Sequence, residues 1–205
     1  MKIFTILTVM LCLISMNGMT AKSQPSLLEQ VSFSPSPALF ASQNTKEVVF
    51  GTPRKFEHKS GWFSLVVPDN WTITDKSTEE EVIVSIVDPA QNAVLIVRVY
   101  RPTRGYMQSE LGDMLKAFLN DRMSSFDGFM TGEVKSQRDG SLGLYFKYNS
   151  IVDGKSYRMY GDTFIEQHNG LVGLVALIMP EEQYELKRSA AYEMVNSFHV
   201  TGAVP

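Results

Sequence analysis

Hydrophobic positions along this chain change period several times, and each change predicts an element. From Trp62 to Val67 the side chains alternate, with Phe63, Leu65 and Val67 on one side and Trp62, Ser64 and Val66 on the other. Residues two apart share a strand face, so the run predicts a strand. Pro68-Asp69-Asn70 reads as a turn, and Trp71–Thr74 as a short strand after it. Val82–Val87 is almost entirely β-branched, which suits a strand better than a helix. Asp88-Pro89-Ala90-Gln91-Asn92 interrupts it and Ala93–Tyr100 resumes, predicting an antiparallel hairpin covered on both faces.

The period then lengthens. Leu111, Met114, Leu115, Phe118, Leu119, Met123 and Phe126 recur mostly at steps of three and four, giving a helix over 107–126 one apolar face, with Gly128 as its stop. Asp139-Gly140, Asp153-Gly154 and Asn169-Gly170 mark three tight turns, and Leu142, Leu144, Phe146 and Tyr148 alternate on the strand after the first. Leu171–Met179 is apolar throughout yet too short to span a bilayer, which predicts a central buried strand. Pro180 opens the last helix at its first position, with Glu181 and Glu182 near the positive end of its dipole. Tyr184, Ala191, Met194, Val195 and Phe198 form that helix's apolar stripe, which ends before Thr201-Gly202. Strands joined by short turns pair antiparallel, and each amphipathic helix needs a sheet face. The expected fold is therefore α+β: an αβα sandwich with a central antiparallel sheet and two main amphipathic helices.

The first residues follow different rules. Lys2 precedes an apolar run from Ile3 to Ile14, and small or polar residues follow up to Ala21. This is the layout of a signal peptide over residues 1–21, and the run is short for a membrane span. Residues 22–46 hold Ser23, Pro25, Ser26, Ser32, Ser34, Pro35, Ser36, Pro37 and Ser42, which reads as a Ser/Pro-rich flexible leader. Leu27, Leu28, Val31, Phe33, Leu39 and Phe40 lie within it. The folded domain is expected over 47–202, in the periplasm or outside the cell.

Composition narrows the function classes. The 205 residues carry a net charge of −3, which removal of Lys2 with the signal peptide shifts to −4. No basic excess exists to favour nucleic acid. The one cysteine, Cys12, lies in the predicted signal peptide, so a mature chain has no disulfide and rests on hydrophobic burial.

Gly61-Trp62-Phe63-Ser64-Leu65-Val66-Val67-Pro68-Asp69-Asn70-Trp71 resembles the opening signature of PsbP-like proteins: an aromatic, alternating apolars, Pro, turn residues, then Trp. The helix, late meander and final helix follow the same order, over about residues 47–202. Asn70 stands where that signature often has Gly, and Asn is able to adopt the left-handed conformation. The resemblance is to the PsbP-like and Mog-type superfamily, exported bacterial PsbP- or DcrB-like proteins included. It implies an αβα sandwich and a non-enzymatic binding or accessory role, with no shared catalytic residue to carry over.

The residues agree with that implication. His58, His168 and His199 lack the i,i+4 spacing of a helical metal pair, no Ser lies in a G-x-S-x-G, and the glycines at 140, 143, 170 and 173 read as hairpin glycines rather than a phosphate loop. Glu79-Glu80-Glu81 reads as a solvated charge run. Asn70-Trp71-Thr72 is a formal glycosylation sequon. One polar cluster stands out: Arg98, Arg101, Arg104 and Tyr106, with Tyr100, where a strand passes into the first helix. It is the candidate contact for an anion or a partner.

The leading expectation is a monomeric, exported, non-enzymatic binding or accessory protein with a protein partner, no cofactor, no metal and no nucleic acid. A small-ligand-binding protein or hydrolase with carboxylates and His in a cleft is the alternative, distinguished by titratable groups converging in one deep pocket. Peripheral membrane contact through the apolar positions of 27–40 is the third reading.

Overall fold

The computed structural model describes residues 47–152 and 155–202. The predicted signal peptide and leader and the Asp153-Gly154 turn lie outside the described residues. In chain order the elements are β1 (Pro53–Glu57), β2 (Phe63–Pro68), β3 (Thr72–Asp75), β4 (Glu81–Val87), β5 (Val94–Tyr100), α1 (Gln108–Met123), β6 (Met130–Thr131), β7 (Lys135–Ser136), β8 (Leu142–Val152), β9 (Lys155–His168), β10 (Leu171–Pro180), α2 (Glu181–Asn196) and β11 (His199–Val200). The expected antiparallel sheet is there, in the order β3-β4-β5-β10-β9-β8-β6, with β7 also paired to β8. A second sheet, β1-β2-β11, was not expected.

The central strands explain the continuous apolar runs, because they are covered twice. In β10, Val175, Leu177 and Met179 enter one core with Leu95, Val97 and Val99 of β5. Val172, Leu174, Ala176 and Ile178 enter the other, with Val94 and Ile96. Helix α1 covers this second face through Leu111, Leu115, Leu119 and Met123, which share one side at i,i+4 spacing. The first face is covered by α2, through Tyr184, Ala191, Met194 and Val195, and by Phe63, Leu65 and Val67 of β2.

Local chemistry sets the boundaries. The main chain of α1 ends at Met123, with Ser124 as its C-cap, rather than running on to Phe126. Pro180 is the last residue of β10 and the N-cap of α2, not its first helical residue, because its ψ of 135° is extended. Phe198 follows α2 and packs on Phe63 at 5.9 Å. Asn169 and Gly170 have φ of 48° and 75°, the pair of positive angles a type I′ hairpin turn requires. Gly143 and Gly173 are strand residues rather than turn residues. A Cβ on Gly173 would meet Phe198 and Val200, so this glycine is what lets β11 lie against the sheet.

Asn70 does not take the left-handed conformation. Its side chain works instead, accepting the Gly51 N–H at 2.9 Å and donating to the Val49 carbonyl at 3.1 Å. Trp71 donates to the same carbonyl at 3.0 Å. The sequon residue thus ties down the segment that enters the domain.

Candidate functional site

The strand pair β8–β9 carries the most distinctive surface. Its register pairs Tyr145 with Asp162, Lys147 with Tyr160, Asn149 with Arg158 and Ile151 with Ser156. Paired residues share a sheet face, so these eight side chains lie together, opposite the α1-side core that holds Phe146, Tyr148 and Met159. Met130 of β6 pairs with Lys147 and joins them. Helix α2 packs on β10 and β9, leaving the β8 end of this face open. Met130, Tyr145 and Ile151 are 47%, 38% and 71% exposed, so three of the seven large exposed hydrophobics among the described residues share one strip. These three apolar side chains stand among the polar Lys147, Asn149, Arg158 and Asp162 on the same face.

The strip is braced from below. Tyr145 and Tyr160 lie parallel, 6.0 Å apart with 5° between planes, and Tyr160 stacks on Tyr184 of α2 at 4.0 Å. Gly132 lies so close to the Tyr145 ring that a Cβ there would be 2.4 Å from it. Tyr160 donates its hydroxyl to Asp162 at 3.2 Å, and Tyr184 donates to the other carboxylate oxygen. Burial pushes Asp162 above the ordinary carboxylate range, partly offset by those two donors, and pushes both phenols above theirs. Lys147 reaches Glu181 at 2.5 Å and lies 5.5 Å from the Tyr160 ring centre. Arg158 donates to Asn149 at 3.1 Å and to the Gly128 carbonyl at 3.2 Å. The result is an amphipathic surface of stacked rings and cations held by carboxylate and amide partners.

The loop singled out from the sequence is built differently. Arg98 reaches Glu81 at 2.8 Å, with both side chains largely buried, so Glu81 belongs to a cross-strand ion pair rather than a solvated run. Arg104 forks onto Glu110 at 2.6 and 3.1 Å, and Glu110 also accepts the Met107 N–H at 2.7 Å. Arg104 holds the Glu110 carboxyl down to about 2, which makes the pair a cap on the start of α1. Tyr106 packs 5.0 Å from the Arg104 guanidinium, and Arg101 is exposed. The structure therefore brings Arg104 and Tyr106 together, and engages Arg98 and Arg104 with carboxylates.

The histidines are placed in two ways. His168 and His199 approach to 5.6 Å between ring centres, beside Glu166 at 3.8 Å from His199. His58 is buried against Phe63, with Nδ1 2.8 Å from Ser60 Oγ and Nε2 3.3 Å from Asp75. That order of Ser, His and Asp resembles a nucleophile relay, but its surroundings are those of a turn. The Gly61 N–H bonds to the His58 carbonyl and the Trp62 N–H to Ser60 Oγ, so neither is available to an oxyanion. Among the described residues no group of three His, Cys, Asp or Glu side chains is placed to hold a metal ion. No helix among them is long and apolar enough to cross a membrane.

No family profile and no characterised protein matches this sequence. Solved structures do match. Cyanobacterial PsbP (CyanoP) from Synechocystis sp. PCC 6803 superposes with a TM-score of 0.56 at 16% identity, over 77% of this chain and 98% of that one. The Ran-binding protein Mog1p of Saccharomyces cerevisiae gives 0.50 at 11% identity, over 74% and 97%. The class is thus an α+β sandwich built on an antiparallel sheet with two helices. In particular, the fold is of the PsbP and Mog type.

Proposed function

We propose that this chain is an exported, non-enzymatic accessory protein that works by binding a protein partner through the β8–β9 strip. The observation that carries the reading is the grouping of Met130, Tyr145 and Ile151, exposed on one braced sheet face. Asp162 supports binding rather than acid–base chemistry, since each of its oxygens already accepts a phenol. The resemblance to binding and accessory proteins supports the same reading, and the run from Lys2 to Ala21 supports export.

A photocrosslinking residue placed at position 145, and separately at 151, tests the proposal in the native host. Both should trap the same discrete protein species, while a probe at Leu186, 78% exposed on the outer side of α2, traps none of it. Identical products from all three positions, or no protein product from 145 and 151, would refute it.

A further inference from the structure

We propose that a second site, an apolar cleft beside α2, binds an alkylammonium group: a short aliphatic chain with a cationic head. The inference is independent of the strip. At i,i+3 and i,i+4 spacing, Gln183, Lys187, Ala190 and Met194 form one stripe of α2, whereas Glu181, Tyr184 and Arg188 form another, beside the tyrosines. The C-terminal half of the first stripe borders a cleft of about 220 Å³ whose apolar lining includes Phe50, Pro53, Val66, Pro68, Ala190 and Met194.

The outer wall of this cleft is held in place without a ligand. Glu47 pairs with Lys187 at 2.6 Å, and the Val48 N–H donates to Gln183 at 2.5 Å. Asn70 binds both Val49 and Gly51, and Asp69 accepts the Thr52 N–H at 3.0 Å. Phe50 rests on Trp71 at 5.3 Å. The six consecutive residues from Glu47 to Thr52 are therefore fixed against α2 and the turn after β2, and a ligand need not order them.

Size and charge set the ligand class. Water occupies about 30 Å³ in the liquid, so the cleft equals about seven waters, which is less than the roughly 300 Å³ of a drug-sized site. A chain of about four to six carbons suits it, each buried methylene contributing about 0.8 kcal/mol. The one charged residue in the lining is Glu193, which makes no ion pair among the described residues. Lys187, on the same stripe, is engaged by Glu47, and Lys55 of β1 by Glu57. Asp69 flanks Gly51 and Pro68 at the rim. With Glu193 the one charged group in an otherwise apolar lining, and Arg54 beside Pro53 outside it, the cleft favours an ammonium head over a carboxylate.

The experiment titrates the full chain with n-pentylamine, 1-pentanol and pentanoate, following the Met194 and Val66 methyl resonances by NMR. Pentylammonium should give saturable shifts confined to the cleft, and pentanoate should bind at least about fivefold more weakly, the effect of one exposed charge contact. Glu193→Gln should bring pentylammonium and pentanol to the same affinity. Ala190→Leu, which fills the cleft, should abolish the shifts while the thermal transition stays cooperative. Because Glu193 is exposed, its variant keeps the test decisive even if Ala190→Leu fails to fold. Absence of saturable shifts with pentylammonium, equal binding of pentanoate, or an unchanged amine preference in Glu193→Gln would overturn the proposal.

Discussion

Tyr184→Phe removes a single hydroxyl from the brace beneath the strip and leaves the ring stacked on Tyr160. That hydroxyl donates to Asp162, a carboxylate held mostly out of water between β9 and α2. A hydrogen bond to a charged group contributes about 1.5–3 kcal/mol. In a domain of this size each kcal/mol moves Tm by about 2–4 °C, so the variant should melt about 3–12 °C lower at pH 8. The loss should depend on pH. Burial raises the folded pKa of Asp162 above the ordinary carboxylate range, so its charge erodes stability as pH climbs through the folded value. The Tyr184 bond lowers that pKa and limits the erosion; without it the folded pKa rises further and the charged state costs more. Urea unfolding at pH 4 through 8, followed by tryptophan fluorescence, should show a difference that grows as pH rises, smallest at pH 4 and largest at pH 8. A loss independent of pH, or one that grows toward pH 4, would refute the reasoning.

Two further substitutions test the large sheet, one in the core beneath this surface and one at the β4–β5 turn. A Cβ on Gly161 would lie within 2.8 Å of three atoms of the fully buried Phe146 ring, so Gly161→Ala should cost about 1–3 kcal/mol in urea unfolding, and adding Phe146→Leu should restore part of it. Asp88 accepts the N–H groups of Ala90, Asn92 and Ala93 at 3.0, 2.6 and 2.7 Å, and Asn92 and Ala93 are buried, so Asp88→Ala should cost about 2 kcal/mol or more and slow refolding of the β4–β5 hairpin in stopped-flow fluorescence.

Much of the architecture was legible because burial leaves a period in the sequence. The β10 run is continuous since both faces are covered, and the Leu111–Leu115–Leu119–Met123 stripe repeats since only one side of α1 is. The β1-β2-β11 sheet left little trace: β1 is Pro-Arg-Lys-Phe-Glu, mostly exposed, and β11 is two residues long. Phe198 matched the helical stripe of α2 closely enough to hide the strand after it. The Arg98–Glu81 pair was hidden by register, which brings residues 17 apart together across a hairpin.

The strip was hidden for the same reason. Tyr145 and Asp162 meet only once β8 and β9 are aligned, and Tyr184 arrives from a helix after a further strand. One signal was present. Leu142, Leu144, Phe146 and Tyr148 define the buried phase of β8, so Tyr145 and Ile151 stand in its outward phase, where a solvated strand would carry polar residues.

Partner capture by a variant of that outward phase is the most direct test of the binding role. Tagged wild-type chain, the double variant Tyr145→Ser with Ile151→Ser, and the control Leu186→Ser are expressed at equal levels, checked for equal Tm, and recovered from the native host with their bound proteins. Interface anchors each contribute more than about 1.4 kcal/mol, so the double variant should recover the photocrosslinked species at least about tenfold less than wild type, and the control should match wild type. Equal recovery by wild type and the double variant would contradict the account.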